Sequence, residues 1–312
     1  MADGWGNIPI EIPTELVLPR QYPPASQLSR AGAKLKGADL SGKCLERVDF
    51  TRADLRGANL ERTQLLDAQM ADINLSGAIL TAANLNAASL RRANLLGAVL
   101  MSATLCQTTL AQANLAGANL TEADFYRASL TEADLSHAML RRASLIETNL
   151  SLANMAQVSA SGAELYGADA SYARLHRAEL QGCDLRQANL SHANLTQAIL
   201  TGANLNQAIL TNADGTNATL QQVNLAWASL NRVNLTAANL YQAVMVHALI
   251  IDTDLSNANL QHTILDHATF QNCHLREIMW QKASVKETHF EHPIGLLESE
   301  KAWLRSQGAI IT

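Results

Sequence analysis

Apolar residues recur at every fifth position along most of the chain. One register runs unbroken from Leu35 to Phe290, giving (290 − 35)/5 + 1 = 52 central positions, of which 39 are Leu. Two residues before each centre stands a small or aliphatic side chain, Ala in 37 of the 52 pentads, with Lys43 as the single exception. The repeating unit is therefore a small residue, a polar residue and Leu, followed by two positions rich in Ser, Thr, Gly, Asn and Gln.

A five-residue period fits neither of the standard elements. In an α-helix each step of five residues rotates the leucines by about 140°, which scatters them around the axis. In a flat strand five is an odd number, so successive leucines would face opposite sides. Within one pentad, however, the small residue and the Leu lie two apart and share a face. We therefore expect three extended residues with two side chains inward, followed by two residues that turn the chain.

A longer period of twenty residues indicates how many pentads make one coil. Glycines recur at this spacing on two corners, first at 37, 57, 77, 97 and 117 and later at 162, 182 and 202. Such positions suit corners that need a positive φ or a close backbone approach. Every proline lies outside the array, as expected if its backbone amides pair between successive coils. Four pentads thus predict one square coil, and 52 pentads predict 52/4 = 13 coils.

The pentads resemble those of the pentapeptide-repeat family, whose pattern is A(D/N)LXX. Ala53-Asp54-Leu55 and Ala58-Asn59-Leu60 are examples, and the resemblance covers residues 33–292. It implies an all-β fold, a right-handed quadrilateral parallel β-helix. At about 4.8 Å between stacked strands, 13 coils would make a rod about 60 Å long.

The two flanking segments are expected to close the ends of this solenoid, where strand edges and core are otherwise exposed. We expect residues 1–32 to form a lead-in or cap with a strand at residues 8–12. In residues 293–312, apolar residues seven apart predict a short amphipathic helix that plugs the last coil, and the alternative is a dimer contact through the same face and the tail. The positions involved are Trp280, Leu296, Leu297, Trp303, Leu304 and the tail Ile310-Ile311.

Three central positions carry a side chain much smaller than Leu, and one small position carries a lysine. Gly215 replaces a central Leu, and Ala160 and Ala170 trim two opposite walls of one coil. Each is either a functional void in the core or a neutral sequence change that is tolerated because larger neighbouring side chains fill the space. Lys43 lies in the first full coil, where an inward position reaches water at the open end.

Composition excludes several classes of function. With 16% charged residues, a net charge of −5 and a pI of about 6.0, the chain lacks the clustered Lys and Arg that bind nucleic acid or anionic membranes. Neither a membrane-spanning apolar run nor a secretion signal is evident, so a cytoplasmic location is expected. Cys44, Cys106, Cys183 and Cys273 have no metal-ligand spacing and are expected to be free thiols.

The sequence contains no motif for an enzyme, and we expect neither catalysis nor a cofactor. A nucleophile elbow, a phosphate loop, HExxH and a dinucleotide fingerprint are all missing. His247 and His267 stack if the coil has twenty residues, with Trp227 one coil earlier. Because a third ligand is lacking, we interpret this column as a surface ladder and not as a metal site.

The same column logic predicts a surface for binding another protein. Leu66, Asn86, Cys106, Tyr126, Ile146 and Tyr166 follow consecutive centres of one wall, beside Arg127 and Arg186. Tyr and Arg are enriched at interfaces, although isolated apolar residues are also normal on protein surfaces. The candidate partner-binding residues are Leu66, Cys106, Tyr126, Arg127, Ile146, Tyr166 and Arg186.

A second apolar group is expected to lie under the C-terminal segment. It comprises Val244, Val246, Leu249, Ile251 and Ile264. Between Leu190 and Ile250 the only formal charges, with His neutral, are Asp214 and Arg232. A nearly neutral wall suits self-association or adaptable hydrogen bonding better than electrostatic capture.

These observations favour a non-catalytic scaffold or regulator that presents flat walls to a partner protein. The alternative comes only from the family resemblance: some members mimic DNA and inhibit or protect a type II topoisomerase such as gyrase. This chain departs from that subgroup because residues 33–290 carry 19 basic and 22 acidic residues, a net of 19 − 22 = −3. The unbroken register also leaves no room for the projecting loops of several such proteins.

Overall fold

The structure, a computed structural model, describes residues 29–312. The strand predicted at residues 8–12 and most of the 1–32 segment lie outside these residues. From Ser29 onward, each pentad contributes one residue to a parallel bridge with the residue twenty positions later. The bridges form four ladders, one on each wall, and the ladder from Asp39 to Met279 contains (279 − 39)/20 + 1 = 13 rows. The prediction of a right-handed quadrilateral β-helix is confirmed.

One wall widens toward the C-terminus into a five-stranded parallel sheet with the order β1-β2-β3-β4-β5. Its strands are β1 (Ser229–Asn231), β2 (Leu249–Ile251), β3 (Thr269–Gln271), β4 (His289–Glu291) and β5 (Ile310–Ile311), and the helix α1 (Glu298–Ser306) precedes β5. The register advances by twenty residues from β1 to β4, as in the isolated bridges. In the last step β5 pairs with β4, which places Ile311 beside Phe290.

Every corner uses a left-handed residue. The second turn residue of each pentad from 32 to 292 has a positive φ, which gives (292 − 32)/5 + 1 = 53 such positions. Gly fills only 11 of them, and the others hold residues such as Arg47 and Leu152. A Cβ at Gly117 would meet nothing within 4 Å. The glycine columns therefore relieve backbone strain and do not make space.

The core is a stack of similar layers inside the coil. The central leucines and the small residues two positions earlier are buried along the length of the rod. Phe270 and Phe290 stack with ring centroids 4.8 Å apart, which is the rise of one coil. Each layer therefore excludes water from its neighbours, and burial of one Leu contributes about 1.5 to 3 kcal/mol.

Polar residues at the small positions are tolerated because they bond to the coil below. The Thr148 hydroxyl donates to the carbonyl of Phe125 at 2.7 Å, and the Thr63 hydroxyl donates to Leu40 at 2.9 Å. The Cys183 thiol makes the same contact with Ala160 at 3.0 Å. Each acceptor lies 23 residues earlier, so a buried hydroxyl or thiol finds a partner without disturbing the ladder.

Gly215 leaves little empty space. The cavity beside it is about 10 Å³, at the lower limit for holding one water molecule, and is lined mainly by leucines of adjoining layers. Leu235, one coil later, fills the gap, because its Cδ2 would lie 2.9 Å from a Cβ at position 215. The backbone at Gly215 is outside the left-handed region, so the position does not require glycine for its conformation. The geometry favours drift filled by a larger neighbour.

The C-terminal segment covers the last coil with α1 and β5. Leu304 is fully buried, Leu296 is nearly so, and Trp303 packs partly against the core. Trp280 meets Phe290 edge-on, with ring centroids 6.0 Å apart. Leu297, however, is 66% exposed. The expectation that Leu297 shares the apolar face with Leu304 is wrong, because Leu297 is the extended residue before the helix and the helical spacing does not include it.

Candidate interaction surfaces

The predicted stripe lies along one corner of the rod, as the column logic requires. Its members from Leu66 to Tyr166 are half-buried. The guanidinium of Arg127 lies 4.9 Å from the ring centroid of Tyr126, and that of Arg186 lies 5.5 Å from the ring centroid of Tyr166. The arginines therefore cover part of each aromatic face, and the stripe presents less apolar surface than the sequence alone suggests.

The charged groups of the stripe are already paired. Arg127 bonds Glu147 at 2.6 Å, and Arg186 bonds Asp184 at 2.6 Å. The hydroxyl of Tyr166 donates to the Gln187 amide oxygen at 2.9 Å. A partner at this stripe would have to displace these contacts or bind over them.

Cys106 lies in the middle of the stripe and is a protonated thiol. Burial, together with a hydrogen bond from its Sγ to an Asp124 carboxylate oxygen at 3.2 Å, raises the pKa of this thiol to about 11. A thiol with so high a pKa forms little thiolate near neutral pH and is a poor nucleophile. The contribution of Cys106 to this surface is packing.

A different corner of the array exposes a tryptophan side chain. Trp227 stacks on His247 with ring centroids 4.1 Å apart, and His247 stacks on His267 at 5.0 Å. Trp227 is 58% exposed although it is a large apolar residue. Below, this ladder is called the Trp227 corner.

Apolar residues flank the Trp227 corner on both adjoining walls. Leu249 and Ile209 lie on one wall and are 43% and 44% exposed, and Ile264 on the other wall is 40% exposed. The expectation that Leu249 and Ile264 lie under the C-terminal segment is wrong. That segment crosses the end of the rod and pairs with β4, so it leaves these walls open. Val244, Val246 and Ile251 are half-buried.

Electrostatics also distinguish the Trp227 corner from the stripe. The surrounding coils from Leu190 to Ile250 carry only Asp214 and Arg232 as formal charges. At the C-terminal end of the ladder, Nδ1 of His267 lies 3.3 Å from the Glu287 carboxylate. Within residues 29–312 no cluster of three or more His, Cys, Asp or Glu side chains is arranged to hold a metal ion.

The sequence placed Trp227 on the column of His247 and His267 but did not rank that column above the stripe. The sequence does indicate this exposure, because Trp227 stands at a turn position and the side chains at turn positions do not enter the core of the coil. What the sequence did not show is that Arg127 and Arg186 lie over the tyrosines, which reverses the order of apolar exposure of the two surfaces.

Sequence-family models match almost the whole described rod. The model described as "Pentapeptide repeats" matches residues 31–65, 44–81, 68–107, 98–136, 109–145, 148–187 and 188–225, and that described as "Pentapeptide repeat region" matches 223–293. The chain belongs to the pentapeptide-repeat family. Among curated proteins no sequence matches it.

Solved structures of pentapeptide-repeat proteins resemble this chain. One is HetL from the cyanobacterium Nostoc sp. strain PCC 7120, involved in heterocyst differentiation regulation. It is 34% identical over 72% of this chain and 89% of HetL, with a TM-score of 0.32. Another is a trypsin-treated form of QnrB1, a plasmid-mediated fluoroquinolone resistance protein, which is 19% identical over 72% of this chain and 95% of that one, with a TM-score of 0.45. None of the described residues forms a helix with the length and apolar character needed to cross a membrane.

Proposed function

We propose that this pentapeptide-repeat protein is a non-catalytic, cytoplasmic scaffold or regulator that binds another protein through the Trp227 corner. The observation that carries the proposal is the exposed indole of Trp227, stacked on His247 and flanked by exposed aliphatic residues on both walls. Trp is among the residues most enriched at the centres of protein interfaces. A contiguous exposed apolar surface on a soluble protein usually serves recognition.

The low charge around this corner supports a protein partner that docks by shape and apolar contact. Nucleic acid requires clustered cations, whereas the described coils near Trp227 carry Arg232 as their only basic residue between Leu190 and Ile250. Arg232 itself lies 3.8 Å from Asp252. The tyrosine stripe is the second candidate surface, and its arginines would form its polar rim.

The topoisomerase alternative gains no support from the charge distribution. A DNA-like surface needs a dense field of unpaired acids. Here Asp54, Asp72 and Asp184 each bond an arginine at 2.6 to 2.7 Å. These pairs make the walls locally neutral, so we do not propose a DNA-mimic role.

The experiment is affinity capture from a lysate of the source cell with three forms of the chain. They are the wild type, Trp227→Asn combined with Leu249→Ser, and Tyr126→Arg combined with Tyr166→Arg. Asn suits position 227 because it tolerates the left-handed conformation there, where φ is 61°.

A protein captured by the wild type and by the tyrosine variant but lost with the Trp227 variant supports the proposal. If capture is lost only with the tyrosine variant, the partner binds the stripe and not the Trp227 corner. Equal capture by all three forms contradicts both surfaces, and a topoisomerase subunit captured by the wild type would favour the alternative.

A further inference from the structure

Two walls of the rod end at residues 278–285, and none of residues 29–312 forms a strand over them. On the other two walls the chain closes its own edge, since Ile294 bridges His274 and β5 pairs with β4. Between these two contacts the chain forms α1, which crosses residues 278–285 as a helix and provides no strand there. Residues 278–285 are called the open edge below.

Backbone groups along the open edge have no partner among residues 29–312. They are the N–H groups of Trp280, Lys282 and Val285 and the carbonyl groups of Ile278 and Ala283. One coil earlier the equivalent groups are all paired: Leu260 N–H donates to Met279 at 3.0 Å, and Ala258 accepts from Met279 at 3.2 Å. An edge of this kind is a template for one more strand.

A groove borders the open edge because α1 does not sit flush against it. The space beside Ile278 and Trp280 is about 480 Å³ and is also lined by Lys282, Glu300 and Trp303. Trp280 is only 6% exposed, and its indole Nε1–H has no hydrogen-bond partner among the described residues. Lys282 is exposed and makes no hydrogen bond or ion pair within residues 29–312.

These features specify the chemistry of an occupant. Only an extended polypeptide supplies an N–H and a carbonyl at the spacing of a strand edge. It must bring apolar side chains inward over Ile278 and Trp280, and an acidic side chain outward would meet the Lys282 ammonium. The pairing of successive coils defines the register of an added strand. The N–H of the residue that lies over Met279 would donate to the Ile278 carbonyl, and the carbonyl of the same residue would accept from the Trp280 N–H.

One segment of this chain outside the described residues fits that register. Ile10-Glu11-Ile12 repeats the small-or-aliphatic, polar, apolar order of a pentad, as Ile73-Asn74-Leu75 does inside the array. With Glu11 over Met279, its N–H meets the Ile278 carbonyl and its carbonyl meets the Trp280 N–H. In this register neither Pro9 nor Pro13 stands at a position whose N–H would bond the open edge. Because Pro9 also has no N–H to donate outward, it disfavours the addition of a further strand.

Chain length indicates that the donor is a second copy. From Ser29, the first described residue, a strand added over Met279 lies (279 − 29)/20 + 1 = 13.5 coil spacings along the rod, about 65 Å. Residues 13–28 join Ile12 to Ser29 through 29 − 12 = 17 Cα–Cα steps, which reach at most about 61 Å when fully extended. They fall short within one molecule, whereas a rod stacked end to end brings its first coil close to the groove.

We propose that residues 10–12 of one copy add a strand to the open edge of the next copy and join the rods head to tail. Such a contact is heterologous, because the donor end and the acceptor end are different surfaces. Repetition of a heterologous contact gives open chains and not closed dimers.

Sedimentation velocity over a concentration series tests this with single substitutions in the full-length protein. Glu11→Pro removes the one N–H that the open edge requires and lies outside the array, so it leaves the rod unchanged. Ile8→Pro is the matched control, because the N–H of residue 8 makes no bond in this register. We expect wild type and Ile8→Pro to assemble alike and Glu11→Pro to associate at least tenfold more weakly.

A peptide spanning Gly6–Thr14 provides a second readout that does not alter the protein. It should dissociate wild-type assemblies, as should the same peptide methylated on the Ile12 nitrogen, whereas methylation of the Glu11 nitrogen should abolish the effect. Three results would overturn the proposal: a wild type that stays monomeric at all concentrations, assembly of Glu11→Pro equal to wild type, or equal activity of the two methylated peptides. Monomeric protein with a Trp280 amide protected from hydrogen exchange would show pairing within one copy and would refute the second-copy donor.

Discussion

The rings of Trp227 and His247 stack 4.1 Å apart although twenty residues separate them along the chain. The contact exists because each coil places its corner residue directly over that of the coil below. His247 in turn contacts His267, so one face of each ring is covered and the outer rim remains exposed. A solenoid thus converts a twenty-residue spacing in sequence into a continuous surface.

The left-handed corners predict a measurable asymmetry between glycine and other residues. Gly117→Ala should lower the free energy of unfolding by about 1 kcal/mol, because a Cβ in this conformation is strained even where nothing crowds it. At Leu152, a corner with a φ of 60°, substitution by glycine should lower the free energy of unfolding by less than a glycine substitution inside a strand or helix does, or should raise it. Urea unfolding of both variants checks this, and an unchanged Gly117→Ala would contradict the account of the corners.

The packing of Gly215 against Leu235 predicts compensating substitutions. Gly215→Leu should destabilise the rod by about 1 to 3 kcal/mol, because Leu235 already occupies the space. Leu235→Ala alone should cost about 2 to 5 kcal/mol by opening a cavity. The double variant should be more stable than the sum of the two losses predicts. Strict additivity in urea unfolding would show that the two side chains do not share one space.

The environment of Cys106 predicts a pH-dependent reactivity. Because its pKa is raised to about 11, alkylation by iodoacetamide should be slow at pH 8 and should accelerate only as the pH approaches 11. Asp124→Asn should move this acceleration to lower pH, because the carboxylate that disfavours the thiolate is gone. Cys183, which is buried and bonded to Ala160, is the internal control and should not respond. Site-resolved mass spectrometry measures both thiols, and an unchanged Cys106 profile in the variant would contradict the role of Asp124.

The fold followed from the sequence because two periods constrain it jointly. The spacing of Leu35, Leu40 and their successors excludes both a helical stripe and a flat strand, and the column from Gly37 to Gly117 sets four pentads per coil. At almost every position the residue type matches the place that the position takes in the coil, and for this reason the fold of such a repeat can be predicted from its sequence.

Surface detail was less predictable because it depends on side-chain directions that the period does not encode. Whether Tyr126 is exposed depends on where the Arg127 side chain lies, and it lies over the ring. The seven-residue spacing predicts that Leu297 lies on the helix, but the helix begins at Glu298. The sequence predicts that Leu249 is covered, but the chain closes the end of the rod and leaves the wall open. Each error arose where a turn or a terminus interrupts the repeat.

Photo-crosslinking shows directly whether the Trp227 corner binds a partner protein. A photoreactive benzoylphenylalanine is placed at position 227 and, as the control, at position 217. Asn217 lies at the opposite corner half a coil earlier, is exposed, and has a φ of 57° against 61° for Trp227. The account predicts a crosslinked partner from position 227 in cells and none from position 217. Equal crosslinking from both positions, or crosslinking from position 217 alone, would contradict it.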